Sequence, residues 1–336
     1  MNWVRNLTGA AILGALVWWH STDAFVNAMR MVTLPSLLAA LGIGLLTTVF
    51  SAWRWCLVAH RLRLGLRLPG AVADYYQALF LNAVLPAGVL GDVHRAVSHG
   101  RDSGDVGRGV RAVVLERAAG QIVIIAAGLV VLVTRPALFT ALAPGIVTAL
   151  VLVPCVVVAV VALARCRWGR AAARATADAR RVLLARDTWP GVVLLSAAAL
   201  AGYIALFLVA ARVAGATAPL LQLVPLVVFA LLVMGLPMNV GGWGPREAAT
   251  TIAFGAAGLG SEQGLAVAVV YGVLTFVASL PGAAVLLVRA GTRRRTAGAR
   301  RTRPVAPRLA PQRPQVVAER FDERREKVPA LAGRGQ

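Results

Sequence analysis

Two short stretches of the chain set ionisable side chains among helix-breaking residues. In the first, Asn82, Pro86, Gly88, Gly91, Asp92 and Arg95 lie within fourteen residues; in the second, Pro237, Gly241, Gly242, Gly244 and Pro245 lead into Arg246 and Glu247. A helix that starts at such a break presents free N–H groups and a positive dipole end, and an arginine beside it makes a site for an anion such as a phosphate. Asp92 suits the cap of a helix beginning just after Gly91, with Arg95 on the same face three residues on. Gly244 suits an N-cap and Pro245 the first helical position, which puts Arg246 in the first turn with Glu247 beside it. The same residues admit a second role, in which Asp92 and Glu247 neutralise Arg95 and Arg246 and hold the bends together.

Other ionisable groups carry weaker signals. Glu116 and Arg117 read first as an interfacial ion pair and second as substrate contacts. Arg54, between Trp53 and Trp55, reads as an arginine reaching back to the inner interface, and His94 stands beside Arg95. His20, His60 and His99 are scattered, and Cys56, Cys155 and Cys166 form no C-x-x-C pair, so no metal site or disulfide framework is indicated. There is no G-x-S-x-G, P-loop or H-E-x-x-H motif. These absences predict a protein that is not an enzyme and uses neither metal nor cofactor.

The elements that position these residues follow from composition. The 336 residues are 58% hydrophobic and 15% charged, with a mean hydropathy of +0.73, where a soluble domain carries about 25% charge. This is the composition of a membrane protein. The net charge of +21 is confined to particular loops, which excludes a nucleic-acid-binding surface. Six segments approach or reach the roughly 20 apolar residues of a spanning helix: 7–19, 36–59, 112–133, 139–164, 191–213 and 264–288. The first is short, but no cleavage site follows Trp18-Trp19-His20, so it reads as an uncleaved span.

Arginine-rich short loops stay in the cytoplasm, and three such loops occur at 61–67, 95–111 and 165–186. With six spans, both termini are cytoplasmic. Residues 1–288 then form one polytopic membrane domain. Residues 289–336, with fourteen Arg or Lys, four acids and five prolines, form a disordered basic cytoplasmic tail. Two apolar stretches, 75–90 and 221–260, do not fit as ordinary spans and are predicted to enter the membrane and break there. The fold class is thus all-α integral membrane, with about six full spans and two re-entrant or broken helical segments.

Leu85-Pro86, Gly91 and Arg95 recur as Leu236-Pro237, Gly242 and Arg246 at a constant offset of 151 residues. The same offset carries the second and third spans close to the fifth and sixth. Because the second and fifth spans cross in opposite directions, units 36–133 and 187–288 form an inverted repeat about an axis in the membrane plane. Broken helices within such repeats survive where they line a cavity.

With these residues in view, the chain resembles the flippase-like integral membrane family typified by the transmembrane domain of bacterial lysylphosphatidylglycerol synthase. The resemblance rests on Arg54-Trp55, on Asn82-Ala83-Val84-Leu85-Pro86-Ala87-Gly88 with Gly91-Asp92-Val93-His94-Arg95-Ala96, on Glu116-Arg117-Ala118-Ala119-Gly120, and on Gly241-Gly242-Trp243-Gly244-Pro245-Arg246-Glu247-Ala248. It implies movement of a phospholipid or lipid-linked amphiphile between leaflets of the bacterial plasma membrane. The partners would be anionic or phosphate-bearing membrane lipids. In the full synthase the aminoacyl-transferring activity resides in a large soluble domain, and the 48 residues after Val288 are too few for one. The competing expectation is a non-transporting scaffold that recruits a soluble enzyme of envelope lipid or glycan synthesis through its basic tail and the 165–186 loop.

Overall fold

The computed structural model describes residues 29–85, 88–134, 187–235 and 245–301, together with Gly169, Ala177, Asp178 and Arg180. Among these residues the structure is helical, without strands. The helices are α1 (Leu34–Arg61), α2 (Leu68–Val84), α3 (Leu90–Asp102), α4 (Val106–Thr134), α5 (Trp189–Val213), α6 (Leu220–Met234), α7 (Pro245–Ala256), α8 (Ser261–Ser279) and α9 (Pro281–Arg301). Four stretches are long and apolar enough to cross a membrane: Leu34–Arg61, Val106–Val131, Trp189–Val213 and Ser261–Thr292. They correspond to four of the six expected spans. The other two expected spans, 7–19 and 139–164, lie outside the described residues.

The first expected break occurs, and the second lies between the ends of two described helices. α2 stops at Val84, the chain turns through Gly88 at a φ of 57°, and α3 starts at Leu90. A positive φ is a conformation that glycine adopts without steric cost. α6 stops at Met234 and α7 starts at Pro245. Pro86, Pro237, Gly241, Gly242 and Gly244 lie outside the described residues. α9 continues to Arg301, past the proposed boundary at Val288, because Ala283 to Arg301 contains no proline and is rich in Ala, Leu and Arg, all good helix formers.

The helices pack in the manner of a membrane protein, with small residues at the seams and large apolar ones outside. α1 buries Ser36, Ala40, Gly44, Thr47, Thr48, Ser51 and Ala52, and exposes Leu34, Leu38, Leu41, Leu45 and Leu46. In lipid, leucine gains little from facing another helix, whereas small residues let backbones approach. A Cβ on Gly44 would lie 2.6 Å from the Ala278 Cβ, and one on Gly202 would lie 2.2 Å from Thr47 Cγ2. Between α1 and α5, Thr47 meets Gly202, Arg54 meets Ser196 and Leu57 meets Gly191. The two helices therefore run antiparallel. Each half shows the same order: a long helix, a short apolar helix, a break, a short helix and a long helix. Each helix contact has its counterpart when α1–α4 are exchanged for α5–α8, so α1 on α8 matches α5 on α4, and α2 on α8 matches α6 on α4.

Gly264 sits where α7 and α8 touch, and a Cβ there would lie 2.5 Å from the Thr250 carbonyl oxygen and 2.8 Å from the Phe254 Cβ. Gly264→Ala should destabilise the protein by roughly 1–3 kcal/mol, the usual cost of overpacking. Gly42→Ala, which meets nothing within 4 Å, should leave the melting temperature in detergent unchanged or slightly raised.

Candidate functional site

The first break brings charged residues from α1, α3 and α4 and polar ones from α2 to one place. Glu116 on α4 is at the centre and is wholly buried. Its Oε1 accepts the Arg54 Nε–H at 3.0 Å, a second bond from Arg54 Nη2, and the Tyr75 hydroxyl at 3.3 Å. Its Oε2 accepts Arg95 Nη2 at 2.8 Å. Arg54 also donates from Nη1 to Ser196 Oγ at 3.0 Å. Its guanidinium lies against Gly120, where a Cβ would stand 3.0 Å from Nη1. Gly120 leaves room for the arginine to reach Glu116, one turn earlier on the same helix.

Arg95 extends the network toward the break. Its guanidinium carbon lies 4.3 Å from the centre of the Tyr75 ring and 4.7 Å from that of Trp55, so two aromatic faces hold it. Its Nη2 also reaches Asp92 Oδ1 at 3.0 Å. Asp92 in turn accepts Arg117 Nη2 on both oxygens, at 2.9 and 2.7 Å, and the Asn82 amide at 3.1 Å. The network thus holds three guanidinium groups, Arg54, Arg95 and Arg117, and two carboxylates, Glu116 and Asp92.

Three expectations about this region change. Asp92 does not cap α3, because the helix starts two residues earlier than expected and places Asp92 in the first turn. Asn82 from α2 takes over, its Oδ1 accepting the Gly91 N–H at 2.7 Å. Gly91 is required there, since a Cβ would fall 2.1 Å from the Ala78 carbonyl oxygen. Arg54 does not reach the interface; it is buried against a carboxylate in the protein interior, with 6% of its surface exposed. Glu116 and Arg117 do not form an interfacial pair. As neighbours on a helix they point to different sides, one to Arg54 and Arg95 and the other to Asp92.

The second break is built differently. Arg246 and Glu247 are both buried at the start of α7, and Arg246 donates to Glu247 Oε1 from Nε at 2.8 Å and again from Nη2. Arg246 lies against Gly272, where a Cβ would stand 2.5 Å from Nη2, and 5.8 Å from the centre of the Tyr271 ring. Pro245 opens α7 as expected. His94 meets Gln77 Nε2 at 3.3 Å, outside the Glu116 network.

Residues 6–282 match the family described as the lysylphosphatidylglycerol synthase TM region. The chain belongs to that family. No curated protein and no solved structure matches it significantly. The family match takes in α1 to α8 and both breaks, and with the four long apolar helices it makes the protein a multi-pass membrane protein.

Within this TM region, sequence reasoning missed Tyr75, Trp55 and Ser196 as parts of the site. The Trp53-Arg54-Trp55 run did not mark the contact, since neighbours on a helix point to different sides and Trp55 holds Arg95 instead of Arg54. Nothing local marks Ser196, which reaches Arg54 across 142 residues of sequence.

Removing one partner of a buried ion pair leaves the other charge uncompensated, at a cost of about 3–5 kcal/mol. Glu116→Gln should therefore lower the melting temperature in detergent much more than Asp92→Asn, since the Asp92 carboxylate is partly exposed. Equal effects of the two would remove Glu116 from the centre of the network.

Proposed function

We propose that the protein moves a phosphate-bearing amphiphile, a phospholipid or a lipid-linked intermediate, between the leaflets of a bacterial plasma membrane. The observation that carries this reading is the charge network at the first break: three guanidinium groups against two carboxylates, in a chain whose long helices are apolar enough to span a bilayer. Its excess positive charge lies at the exposed edge, with Arg117, where an anion can reach it, while Arg54 and Arg95 lie buried behind. Ionisable groups at such depth are costly and mark substrate paths. A polar groove beside helix breaks lets a headgroup cross while its acyl chains stay in lipid.

The two halves support an inverted repeat. Their helix orders match, their contacts exchange in pairs, and α1 and α5, the first long helix of each half, pack antiparallel. Such halves are related by an axis in the membrane plane, which is the arrangement in which one half opens as the other closes. The arginine-rich loops place 61–67 and 95–111 in the cytoplasm, along with both termini. In this reading the protein is not an enzyme; its partners are lipids, and it needs no cofactor.

Proteoliposomes carrying fluorescent phospholipids test the reading directly. The protein should accelerate inter-leaflet exchange, and Arg95→Ala should slow it by tenfold or more, as befits loss of a bond to a charged group worth about 1.5–3 kcal/mol. Lysine should restore part of the rate, because it keeps the charge and loses the planar fork. The charge-neutral double change Arg95→Gln with Asp92→Asn keeps the Arg54–Glu116 pair intact. Exchange at the full rate in that folded variant would take Arg95 off the lipid path, and no acceleration by the wild-type protein with any anionic lipid would favour the scaffold.

Topology gives a separate check. In intact cells, Ser103→Cys should be shielded from a membrane-impermeant thiol reagent and Thr217→Cys should react with it. Labelling at residue 103 from outside would place the α3–α4 turn on the wrong side for the inverted repeat.

A further inference from the structure

Beside the charge network lies a group of polar atoms that it does not use. Trp55 is fully buried, Arg95 is 2% exposed and His99 is 8% exposed. Yet Trp55 Nε1, Arg95 Nε and Nη1, and His99 Nε2 have no hydrogen-bond partner among the described residues. Buried polar atoms are nearly always paired, so several orphans side by side call for a physical explanation. They are neighbours. Arg95 and His99 are four residues apart on one face of α3, and both face Trp55 on α1, with the Arg95 guanidinium carbon 4.7 Å from the centre of the indole and the imidazole edge-on to it at 5.5 Å.

The types of atom restrict what could satisfy them. The indole N–H and the two guanidinium N–H groups can only donate, and the neutral imidazole can donate from Nε2 in one tautomer. The carboxylates close to this group are engaged or at the surface: Glu116 Oε2 with Arg95 Nη2, Asp92 with Arg95, Arg117 and Asn82, and, near His99, Asp74 paired with Arg289 at 2.6 Å and Asp102 exposed. A cluster of donors matches a ligand that only accepts, and the network's surplus positive charge, at Arg117 on its exposed edge, favours one that is negatively charged. Water does not fit as well, since it must also donate and brings no charge.

We propose that Trp55, Arg95 and His99 form a buried oxyanion site for a singly charged phosphate group, with the phosphodiester of a lipid headgroup as the favoured source. The identification of the source rests on the translocation reading; the site itself does not. The Arg117–Asp92 pair leads to it from the surface, for Arg117 is 44% exposed while Asp92 touches Arg95 directly. Donors on three residues from two helices would grip the phosphate oxygens, so the site recognises the phosphate and not the acyl chains.

The test uses the full chain in detergent, with the melting midpoint followed against three probes: dihexanoyl-phosphatidylglycerol, inorganic phosphate and dihexanoylglycerol. Dihexanoyl-phosphatidylglycerol should stabilise the protein saturably, as any ligand selective for the native state does. Dihexanoylglycerol, which lacks the phosphate, should not. Trp55→Phe keeps an aromatic ring against Arg95 but loses the N–H donor, and it should weaken the apparent affinity by about tenfold, the scale of one bond to a charged group. His99→Phe should weaken it as well, and it carries the test if Trp55→Phe fails to fold. Trp53→Phe, at the exposed neighbour, should bind as wild type. Equal stabilisation by inorganic phosphate supports the site and removes the lipid as its special source.

Unchanged affinity in folded Trp55→Phe and His99→Phe, or equal stabilisation by dihexanoylglycerol, overturns the site. The two proposals separate cleanly. Lipid exchange by the wild type together with unchanged binding in both variants sinks the oxyanion site and leaves translocation standing. Weakened phosphate binding in a protein that exchanges no lipid does the reverse.

Discussion

A carboxylate with no contact with water has to be held by cations, and Glu116 is such a group. Desolvating it is expensive, and the geometry around it compensates with two guanidinium groups and a tyrosine hydroxyl, each from a different helix. Much of the first half of the chain can be read as the consequence. α1 must bring Arg54 to the level of Glu116, α2 must bring Tyr75, and α3 must begin close enough for Arg95 to reach in from the other side. Gly120 follows too, because any larger residue one turn on would push Arg54 off its partner.

The break in the chain is what makes this arrangement possible. An unbroken helix through residues 75–100 would spread its side chains along one axis, whereas stopping at Val84 and restarting at Leu90 brings Asn82 alongside the first turn of α3. Asn82 then satisfies the Gly91 N–H and steadies Asp92 with the same amide. In an environment without water, backbone groups freed at a break need protein partners, and here a side chain ten residues before Asp92 supplies one. Asn82 thus ties the end of α2 to the start of α3 through both a backbone and a side-chain group.

The halves share an architecture but differ in charge. Arg95 and Arg246 are related by the 151-residue offset, but Arg95 lies in the second turn of α3 and Arg246 in the first turn of α7, and Arg95 is paired across to another helix while Arg246 is paired with its own neighbour Glu247. Both arginines are flanked by an aromatic ring: Tyr75 and Trp55 for one, Tyr271 for the other. Glycine meets a guanidinium in both halves, Gly120 with Arg54 and Gly272 with Arg246. Small residues serve the same end at the seams, where Gly44, Gly202 and Gly264 permit contacts that hydrophobic burial alone does not drive in lipid.

The amino-acid sequence by itself determined the membrane class, the four described spans, both breaks and the repeated Arg95 and Arg246, because apolar length, Pro and Gly punctuation and a constant offset are properties of the linear chain. It pointed to Asn82, Asp92 and Arg95 as one group, since they lie within a few turns of each other. Only the tertiary structure decided that Arg54 and Glu116 are partners. They are 62 residues apart, and the local context of each fits an interfacial residue as well as a buried one. The same holds for Tyr75, Trp55 and Ser196, whose roles arise from helices that meet without any local signal. Asp92 shows the limit at short range: its residue type suits a cap, but the helix began two residues earlier once Asn82, reaching across from α2, could satisfy the Gly91 N–H. Spacing along the chain fixes which side chains share a helix face, whereas which faces meet depends on packing between distant segments, and that is where the charge of this site is balanced.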